Sequence, residues 1–386
     1  MSPAGDAIAF EGVDVVYGPE QSVARAMRGR GGSREALRAA GYVVAVEEAS
    51  LGVSPGEICV LMGQSGCGKS SLLRSVNGLA PITRGRVLVR DGERQVDVAA
   101  CDAGTLRHLR MRRLAMVFQH FALMPWRTVR QNAALGLELR GMPCAEREQR
   151  VRQALTLVGL GDWMDAYPHE LSGGMQQRVG LARAYVTDAD ILLMDEPFSA
   201  LDPLIRLRLQ DELLALQRAV PRTILFVTHD VAEALKMGSR VAILEGGRIV
   251  QTGTPEDIAL RPASDYVREF VAGLNPLGVF RAASIMRPLV LPPGIPVVVD
   301  GRRIEVDAQG RPVPGQVART VAGNVLLRDV IAVRATTGEP VLVLGEDGRL
   351  VGVIDEAEIL RALVHDGSAG TDRGATETMA DSGRQQ

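Results

Sequence analysis

The sequence contains no long hydrophobic run. No uninterrupted apolar stretch approaches the roughly 18 residues that a helix needs to cross a bilayer, and residues 1–18 already carry Asp6, Glu11 and Asp14. A secretory leader contains an uncharged apolar segment near its N-terminus, and these acidic residues interrupt any such segment here. We therefore expect a chain that neither spans a membrane nor is secreted.

Cysteine is scarce, and neither sign of charge is in large excess. The four cysteines are Cys59, Cys67, Cys101 and Cys144. They lack the close pairing of a zinc site and the framework of a small disulfide-stapled domain. The 44 basic and 46 acidic side chains leave a formal net charge of −2, so no global feature indicates a nucleic acid or a polyacidic partner. We expect a reducing cytoplasm and no nucleic-acid partner.

What the sequence does contain is a long alternation of short β-rich and helical segments. It runs from Ala7 to about Arg261 and is typical of an α/β fold with a largely parallel sheet. Residues 57–62 and 191–194 are the clearest buried strands, and each is an apolar run followed by polar residues. Ligands of such sheets bind at the carboxyl ends of the strands, so we expect the functional site at this edge.

The chain, with 386 residues, exceeds one ordinary domain. Residues 129–186 have a mainly helical pattern and predict a helical lobe, at about residues 120–186, inserted into a first domain of residues 1–275. Prolines after Asn275 indicate a second, smaller domain of residues 276–366. Residues 367–386 have almost no large apolar side chain, which predicts a disordered tail.

A phosphate-binding loop is expected directly after the first buried strand. Eight residues match the P-loop pattern and open a leucine-rich helix: Gly63, Gln64, Ser65, Gly66, Cys67, Gly68, Lys69 and Ser70. The glycines let backbone N–H groups turn inward around phosphate oxygens, and the helix N-terminus favours anions. Lys69 is predicted to reach the β- and γ-phosphates of ATP, and Ser70 to offer its hydroxyl to Mg²⁺.

Two carboxylates, Asp195 and Glu196, follow the second buried strand. Asp195 is predicted to join the Mg²⁺ shell, through water or directly. Glu196 is predicted to accept a proton from the attacking water, which needs an ionised carboxylate within hydrogen-bond reach. Such a pair alone is most often a solvated strand end, but beside a P-loop it indicates metal binding and general base catalysis.

The third motif is a second phosphate cradle, spelled LSGGMQQR over residues 171–178. Ser172, Gly173 and Gly174 open a helix with a hydroxyl and exposed N–H donors. With this signature the sequence resembles the ABC ATPases. The resemblance implies a P-loop NTPase fold with a RecA-like core and an inserted helical lobe.

The resemblance also implies roles for several other motifs. In ABC proteins the signature of one subunit completes the P-loop site of the other, so the resemblance implies a homodimer in which Ser172 acts in trans. Gln119 matches the Q-loop glutamine, which senses the γ-phosphate and metal. His229 matches the switch histidine, which contacts the γ-phosphate, and residues 199–202 match the D-loop. The expected nucleotide contacts also include Ser71, Gln176 and Asp202.

One nucleotide-binding domain without membrane spans favours an importer subunit over an exporter. Residues 121–129, 195–204 and 275–277 resemble subunits that power uptake of choline, glycine betaine and proline, and choline is preferred. The resemblance implies a membrane permease and a substrate-binding protein as partners, and a peripheral position on the cytoplasmic face of the inner (plasma) membrane. The alternatives are a soluble ABC ATPase acting on nucleic acid or ribosomes, and an importer subunit for another small nutrient.

The segment before the P-loop is longer than usual. Tyr17 and Gly63 lie about twice as far apart as in most ABC ATPases, and residues 33–44 resemble the extra segment of that importer group. Residues 24–38 depart from it by holding five arginines, which form a solvated basic surface or contact anionic lipid or a partner. Tyr17 either stacks on adenine, as the family's A-loop aromatic does, or packs on the first strand.

The second domain has a weaker resemblance, to CBS motifs. Residues 283–288 are a much degraded copy, whereas residues 340–354 predict a hairpin that turns at residues 346–348 and leads into a helix over residues 355–364. Acidic and basic residues nearly balance over residues 278–366, so no cationic membrane-sensing face is expected. Nucleotide or ionic-strength sensing and a purely structural role both stay open.

Overall fold

The computed structural model describes residues 5–20, 25–26, 33–119, 121–199, 201–272, 276–289, 297–299, 302–307, 309–313, 320–345 and 347–363. The strands are β1 (Ile8–Tyr17), β2 (Val43–Val53), β3 (Ile58–Met62), β4 (Arg84–Asp91), β5 (Arg94–Asp97), β6 (Leu114–Val117), β7 (Ile191–Asp195), β8 (Thr223–Val227), β9 (Arg240–Glu245), β10 (Arg248–Gly253), β11 (Arg287–Pro288), β12 (Val297–Val299), β13 (Arg302–Ile304), β14 (Thr320–Ala322), β15 (Val341–Leu344) and β16 (Leu350–Ile354).

The α-helices are α1 (Arg34–Ala39), α2 (Lys69–Ser75), α3 (Ala103–Arg112), α4 (Val129–Leu139), α5 (Cys144–Leu157), α6 (Gly173–Tyr185), α7 (Pro203–Ala219), α8 (Val231–Met237), α9 (Pro255–Leu260), α10 (Asp265–Val271), α11 (Ala282–Ile285), α12 (Leu327–Thr337) and α13 (Glu356–Leu363). The chain divides into two compact units, Met1–Phe270 and Val271–Gln386. The boundary expected at Asn275 and the tail expected at residues 367–386 lie outside the described residues. Within the described ranges, no helix combines the length and the apolar character needed to cross a membrane.

A six-stranded sheet forms the centre of the first unit. Its order is β10-β9-β3-β8-β7-β6, and all neighbours are parallel except β9 and β10. Every residue of β3, β7 and β8 is buried, which explains why these strands are continuous apolar runs. The two strands predicted most firmly, at residues 57–62 and 191–194, are present as β3 and β7, each shifted at one end by a single residue.

A second sheet of the first unit, with the order β2-β1-β4-β5, is antiparallel. One core cluster joins both sheets and the helix α2, and its members include Ile8, Val15, Val89, Leu61, Leu193, Leu225, Leu72 and Leu73. The helix that follows the P-loop is therefore fixed by core packing on its apolar side.

The predicted helical lobe consists of α4, α5 and α6, which contact one another in pairs. The 3₁₀ turns Gly161–Trp163 and Pro168–Glu170 separate α5 from α6. Thr128 begins the lobe with a capping box, because its hydroxyl accepts the N–H of Gln131 while the Gln131 side chain accepts the N–H of Thr128.

The second unit contains a four-stranded sheet, β11-β16-β15-β14, and the separate pair β12-β13. The predicted hairpin is present as the antiparallel pair β15 and β16, and the predicted helix follows as α13. Glu346, at the expected turn, lies outside the described residues. The CBS-like character of this unit stays a prediction.

Candidate functional site: an ATP site at one edge of the parallel sheet

Four motifs found in the sequence come together at one edge of the parallel sheet. The P-loop follows β3, and Gln119 follows β6. Asp195 ends β7, Glu196 comes next, and His229 follows β8. These four strands are neighbours in the order β3-β8-β7-β6. Because parallel strands end at the same edge, side chains that are far apart in the sequence converge there.

Two glycines let the P-loop turn in a space that other residues cannot occupy. Gly63 has a φ of +149°, and a Cβ there would overlap the carbonyl oxygen of Leu244. Gly68 has a φ of +102°, and a Cβ there would overlap the carbonyl oxygen of Ala45. Both φ values favour glycine. The loop backbone is thus held closely between two neighbouring segments.

Lys69 begins α2, and only 5% of its surface is exposed. Its ammonium group donates to the carbonyl oxygens of Gly63 and Gln64, both at 2.8 Å. Phosphate oxygens are stronger partners for an ammonium group than neutral carbonyls are. The loop therefore holds a buried cation that favours an anionic ligand.

The remaining loop residues differ in exposure. Gln64, Ser65 and Gly66 are exposed at the mouth of the loop, whereas Cys67 is buried. Burial raises the pKa of the Cys67 thiol. Because the thiolate is the reactive form of cysteine, Cys67 is a packing residue here.

Ser70 and Asp195 meet directly, since the Ser70 hydroxyl donates to Asp195 Oδ1 at 2.7 Å. Asp195 has no exposed surface, and its Oδ2 accepts hydrogen bonds from Arg74 Nε at 3.1 Å and Nη2 at 2.9 Å. Hydroxyl and carboxylate oxygens are ligands that Mg²⁺ prefers, with phosphate oxygens and water completing its shell. The pair Ser70 and Asp195 therefore fits Mg²⁺.

Glu196 is the centre of a second polar cluster. Its Oε2 accepts a hydrogen bond from Gln119 Nε2 at 3.1 Å and lies 3.3 Å from His229 Nδ1. The backbone of Glu196 is left-handed, with a φ of +47°, and its N–H donates to the carbonyl of Val227 on β8 at 3.0 Å. The structure thus joins the glutamate, the glutamine and the histidine that the sequence separates.

Tyr17 lies beside the P-loop helix. Its hydroxyl donates to Ser71 Oγ at 3.2 Å, and 38% of its surface is exposed. An exposed ring at the end of β1, next to α2, is available for stacking on a flat ligand. The structure therefore brings Tyr17 and Ser71 together at the P-loop helix.

The signature forms the start of α6. Ser172 is its N-cap and accepts the N–H of Met175 at 3.4 Å. Ser172 and Gly173 are exposed, and Gly174 is half-buried. The Gln176 side chain donates to the carbonyls of Pro168 and Leu171 at 2.9 and 3.2 Å. In this structure Gln176 therefore holds the turn before Ser172.

The D-loop leads into α7, with Asp202 as its N-cap accepting the N–H of Ile205 at 3.0 Å. Ala200 lies outside the described residues. The next turn of α7 carries Arg206, which donates to the Leu201 carbonyl and to Asp230 Oδ2, both at 3.3 Å. Asp230 directly follows His229 and is the N-cap of α8. The D-loop and the histidine segment are thus linked through one arginine.

Sequence reasoning missed Arg74 and Arg206. A signal existed for Arg74, because it lies four residues after Ser70 and side chains at this spacing share one face of a helix. No comparable signal pointed to Arg206, since its two partners come from separate segments of the chain.

The extra segment before β2 is partly described. Ser33 is the N-cap of α1 and accepts the N–H of Ala36. Arg34 donates to the carbonyls of Gly246 and Val44, and its guanidinium lies 3.8 Å from Glu47. Arg25 likewise donates to the carbonyl of Ile82 at 3.3 Å, so both arginines bond to the first unit's own backbone.

Several known proteins are similar to this chain. The ABC transporter family model matches residues 46–199. The glycine betaine/proline betaine transport system ATP-binding protein ProV of Salmonella typhimurium is 51% identical over 251 residues, which cover 65% of this chain and 62% of that protein. The present chain thus spans less than two thirds of that relative's length.

Two further matches cover more of the compared protein. The glycine betaine/carnitine transport ATP-binding protein GbuA of Listeria monocytogenes is 37% identical over 393 aligned positions, covering 92% of this chain and 97% of that protein. A solved dimeric ATP-binding cassette in a post-hydrolysis state, bound to ADP and phosphate, is 27% identical with a TM-score of 0.55, covering 64% of this chain and 98% of that one. The chain described here belongs to the ATP-binding subunits of ABC transporters, within the group that includes the glycine betaine transport subunits.

Proposed function

We propose that this protein hydrolyses ATP to power the import of a quaternary amine osmolyte through a membrane permease. The observation that carries the proposal is the meeting, at one sheet edge, of a buried P-loop lysine with the pair Ser70 and Asp195 and the cluster around Glu196. These are the parts that phosphoryl transfer to water requires: a charge on the phosphates, oxygen ligands for a metal, and a base.

The proposed chemistry divides between the two clusters. The Lys69 ammonium has three N–H donors, so it keeps the carbonyl of Gly63 and turns its other donors to the β- and γ-phosphates, while Ser70 and Asp195 would hold Mg²⁺. Bound there, Mg²⁺ would neutralise charge on the phosphate oxygens. Glu196 accepts a proton from the attacking water. Gln119 and His229, which touch its Oε2, orient this carboxylate and contact the γ-phosphate.

The proposed active form is a homodimer. The exposed Ser172 and Gly173 present a helix N-terminus to solvent, and such a terminus attracts phosphate. A solved cassette of similar fold is dimeric with ADP and phosphate bound. We propose that Ser172 of one protomer closes over the P-loop of its partner.

A groove beside the Q-loop is the proposed permease contact. It has a volume of about 340 Å³ and lies between β6 and the lobe helices α4 and α6, with Phe118, Leu139 and Arg183 in its wall. Arg183 donates to the carbonyls of Phe121 and Ala122 at 3.1 and 2.6 Å. Both of those residues have left-handed backbone. The groove wall is therefore tied to the segment that begins at Gln119.

The proposed cargo has a quaternary ammonium group. The two relatives described above are named for glycine betaine, proline betaine and carnitine, which share a quaternary amine with choline. We therefore propose choline as the preferred substrate, with glycine betaine next, and proline, whose amine is secondary, as the third solute to compare. A substrate-binding protein is proposed to deliver them to the permease.

Uptake tests the proposal as a whole. Cells that express this subunit with its copurifying permease should accumulate labelled glycine betaine or choline, and the Lys69→Ala variant should not. Proline serves as the third arm of the assay. Failure of all three solutes, in cells where the wild-type subunit hydrolyses ATP, would overturn the osmolyte assignment while leaving the ATPase intact.

The permease contact has a test of its own. Leu139→Asp places a charge in the groove, and Val220→Asp is the matched control, since the two side chains are 60% and 61% exposed. We expect Leu139→Asp to lose copurification with the permease while the isolated subunit still hydrolyses ATP. Equal copurification of both variants would show that the groove is not the contact.

A further inference from the structure

One residue beyond the recognised motifs touches the P-loop. Tyr266 lies on α10, the last helix of the first unit, and its hydroxyl accepts a hydrogen bond from the backbone N–H of Gln64 at 3.3 Å. The same hydroxyl donates to the carbonyl of Leu244, at the end of β9, at 3.3 Å. Tyr266 therefore connects the loop to the neighbouring strand.

The peptide group that Tyr266 holds is the one that also holds the P-loop lysine. The N–H of Gln64 and the carbonyl of Gly63 belong to a single planar peptide unit. Tyr266 binds its N–H, and Lys69 Nζ binds its carbonyl oxygen at 2.8 Å. A rotation of this plane would displace the acceptor of the lysine and release the tyrosine together.

Two further contacts restrict this arrangement. A Cβ on Gly63 would overlap the carbonyl oxygen of Leu244, so the loop and the end of β9 are already in close approach. The Tyr266 ring packs against that of Phe270 one turn later, with ring centroids 5.8 Å apart. The contact with Phe270 thus restricts the position of the Tyr266 ring on α10, from which its hydroxyl reaches the loop.

We propose that Tyr266 is a positioning residue for ATP binding, which fixes the Gly63–Gln64 peptide and through it the ammonium group of Lys69. The inference rests on the proposed ATPase function and adds a residue to it. Tyr266 acts on the loop before any bond is broken, so it stabilises bound ATP and the transition state equally. Loss of such uniform binding raises KM and leaves kcat unchanged.

The test compares Tyr266→Phe with Tyr185→Phe in the full-length chain. Tyr266→Phe keeps the ring and its contact with Phe270 but removes the hydroxyl. Tyr185→Phe removes a hydroxyl that has no hydrogen-bond partner among the described residues. Steady-state hydrolysis gives KM and kcat, calorimetric titration with MgATP gives Kd, and circular dichroism gives Tm.

For Tyr266→Phe we expect KM and Kd for ATP to rise about twofold to tenfold, the range set by one ordinary hydrogen bond, with kcat within about twofold. Tyr185→Phe should keep the wild-type KM, kcat and Kd, with a Tm equal to or above that of the wild type because the hydroxyl it removes is unsatisfied. The proposal is overturned if Kd is unchanged in Tyr266→Phe, if kcat falls while KM stays constant, or if both variants change alike. A wild-type chain that binds no ATP would instead overturn the proposed function.

Discussion

Two clusters of buried charge, one in each unit of the chain, differ in their surroundings. In the first unit, Lys69 and Asp195 are buried at the end of the parallel strands, where backbone carbonyls, a hydroxyl and an arginine hold them. In the second unit, Glu358 is buried at the start of α13, where it accepts the N–H of Asp355 and a bond from Arg361. The buried charges at the strand ends are available to a ligand, whereas the buried charge at the start of α13 stabilises the fold of its own unit.

The electrostatics of each cluster explain the difference. Asp355 in turn accepts a hydrogen bond from Arg334 Nε at 3.0 Å and lies 2.8 Å from Arg334 Nη2, so Glu358 and Asp355 both have arginine partners within their unit. The ammonium of Lys69 instead has neutral carbonyl partners, so its positive charge stays available to phosphate. Substitution of Lys69 or Asp195 should therefore reduce function, whereas substitution of Glu358 or Asp355 should reduce stability.

The largest expected effect belongs to Lys69→Ala. It removes the buried cation that attracts the β- and γ-phosphates, so hydrolysis should fall below detection and MgATP binding should weaken greatly. Phosphate release and calorimetric titration measure the two effects. Turnover near the wild-type rate would refute the role assigned to this lysine.

Glu196→Gln should separate binding from chemistry. It removes the base but keeps the size of the side chain, so hydrolysis should drop about 10²- to 10⁴-fold while MgATP still binds. The P-loop and signature stay intact, and sedimentation in MgATP should show a stable dimer. A variant that remains monomeric at saturating MgATP would count against the proposed closure.

Arg74→Met should have an intermediate effect. It removes two charged hydrogen bonds from the buried Asp195. We therefore expect kcat/KM to fall about tenfold to a hundredfold. We also expect a rise in the Mg²⁺ concentration required for half-maximal hydrolysis. Arg113→Met is the control, since Arg113 also makes two hydrogen bonds to carboxylates, one to Asp91 and one to Asp190, both at 2.6 Å. A similar change in the Mg²⁺ requirement of both variants would disprove a specific role for Arg74.

The smallest functional effect is expected in the second unit. Glu358→Ala removes the buried partner of Arg361 and of the Asp355 N–H, which should destabilise this unit by about 1–3 kcal/mol and leave ATP hydrolysis unchanged. Glu356→Ala, on the exposed side of the same helix, is the control. Chemical denaturation measures the loss of stability, and phosphate release measures ATP hydrolysis. A loss of hydrolysis in Glu358→Ala would contradict the proposed difference between the units.

The sequence predicted those features that depend on neighbours along the chain. The P-loop, the strand before Asp195 and the signature are each continuous, and the structure contains the expected strand, turn or helix at each. The predicted hairpin of the second unit is equally local.

Features that need distant partners could not be predicted. Tyr266 reaches Gln64 from 202 positions away, and no periodicity encodes such a contact. The positive φ of Glu196 also depends on where β7 and β8 place its N–H.

That positive φ carries a consequence for how the protein can evolve or be engineered. A non-glycine residue in the left-handed region costs about 1–3 kcal/mol, and asparagine tolerates this region better than glutamate does. Glu196→Asn should therefore raise the Tm of a chain that no longer hydrolyses ATP. Stabilising the first unit at this position and keeping its proposed base are mutually exclusive, which is a trade-off between activity and stability located at a single residue.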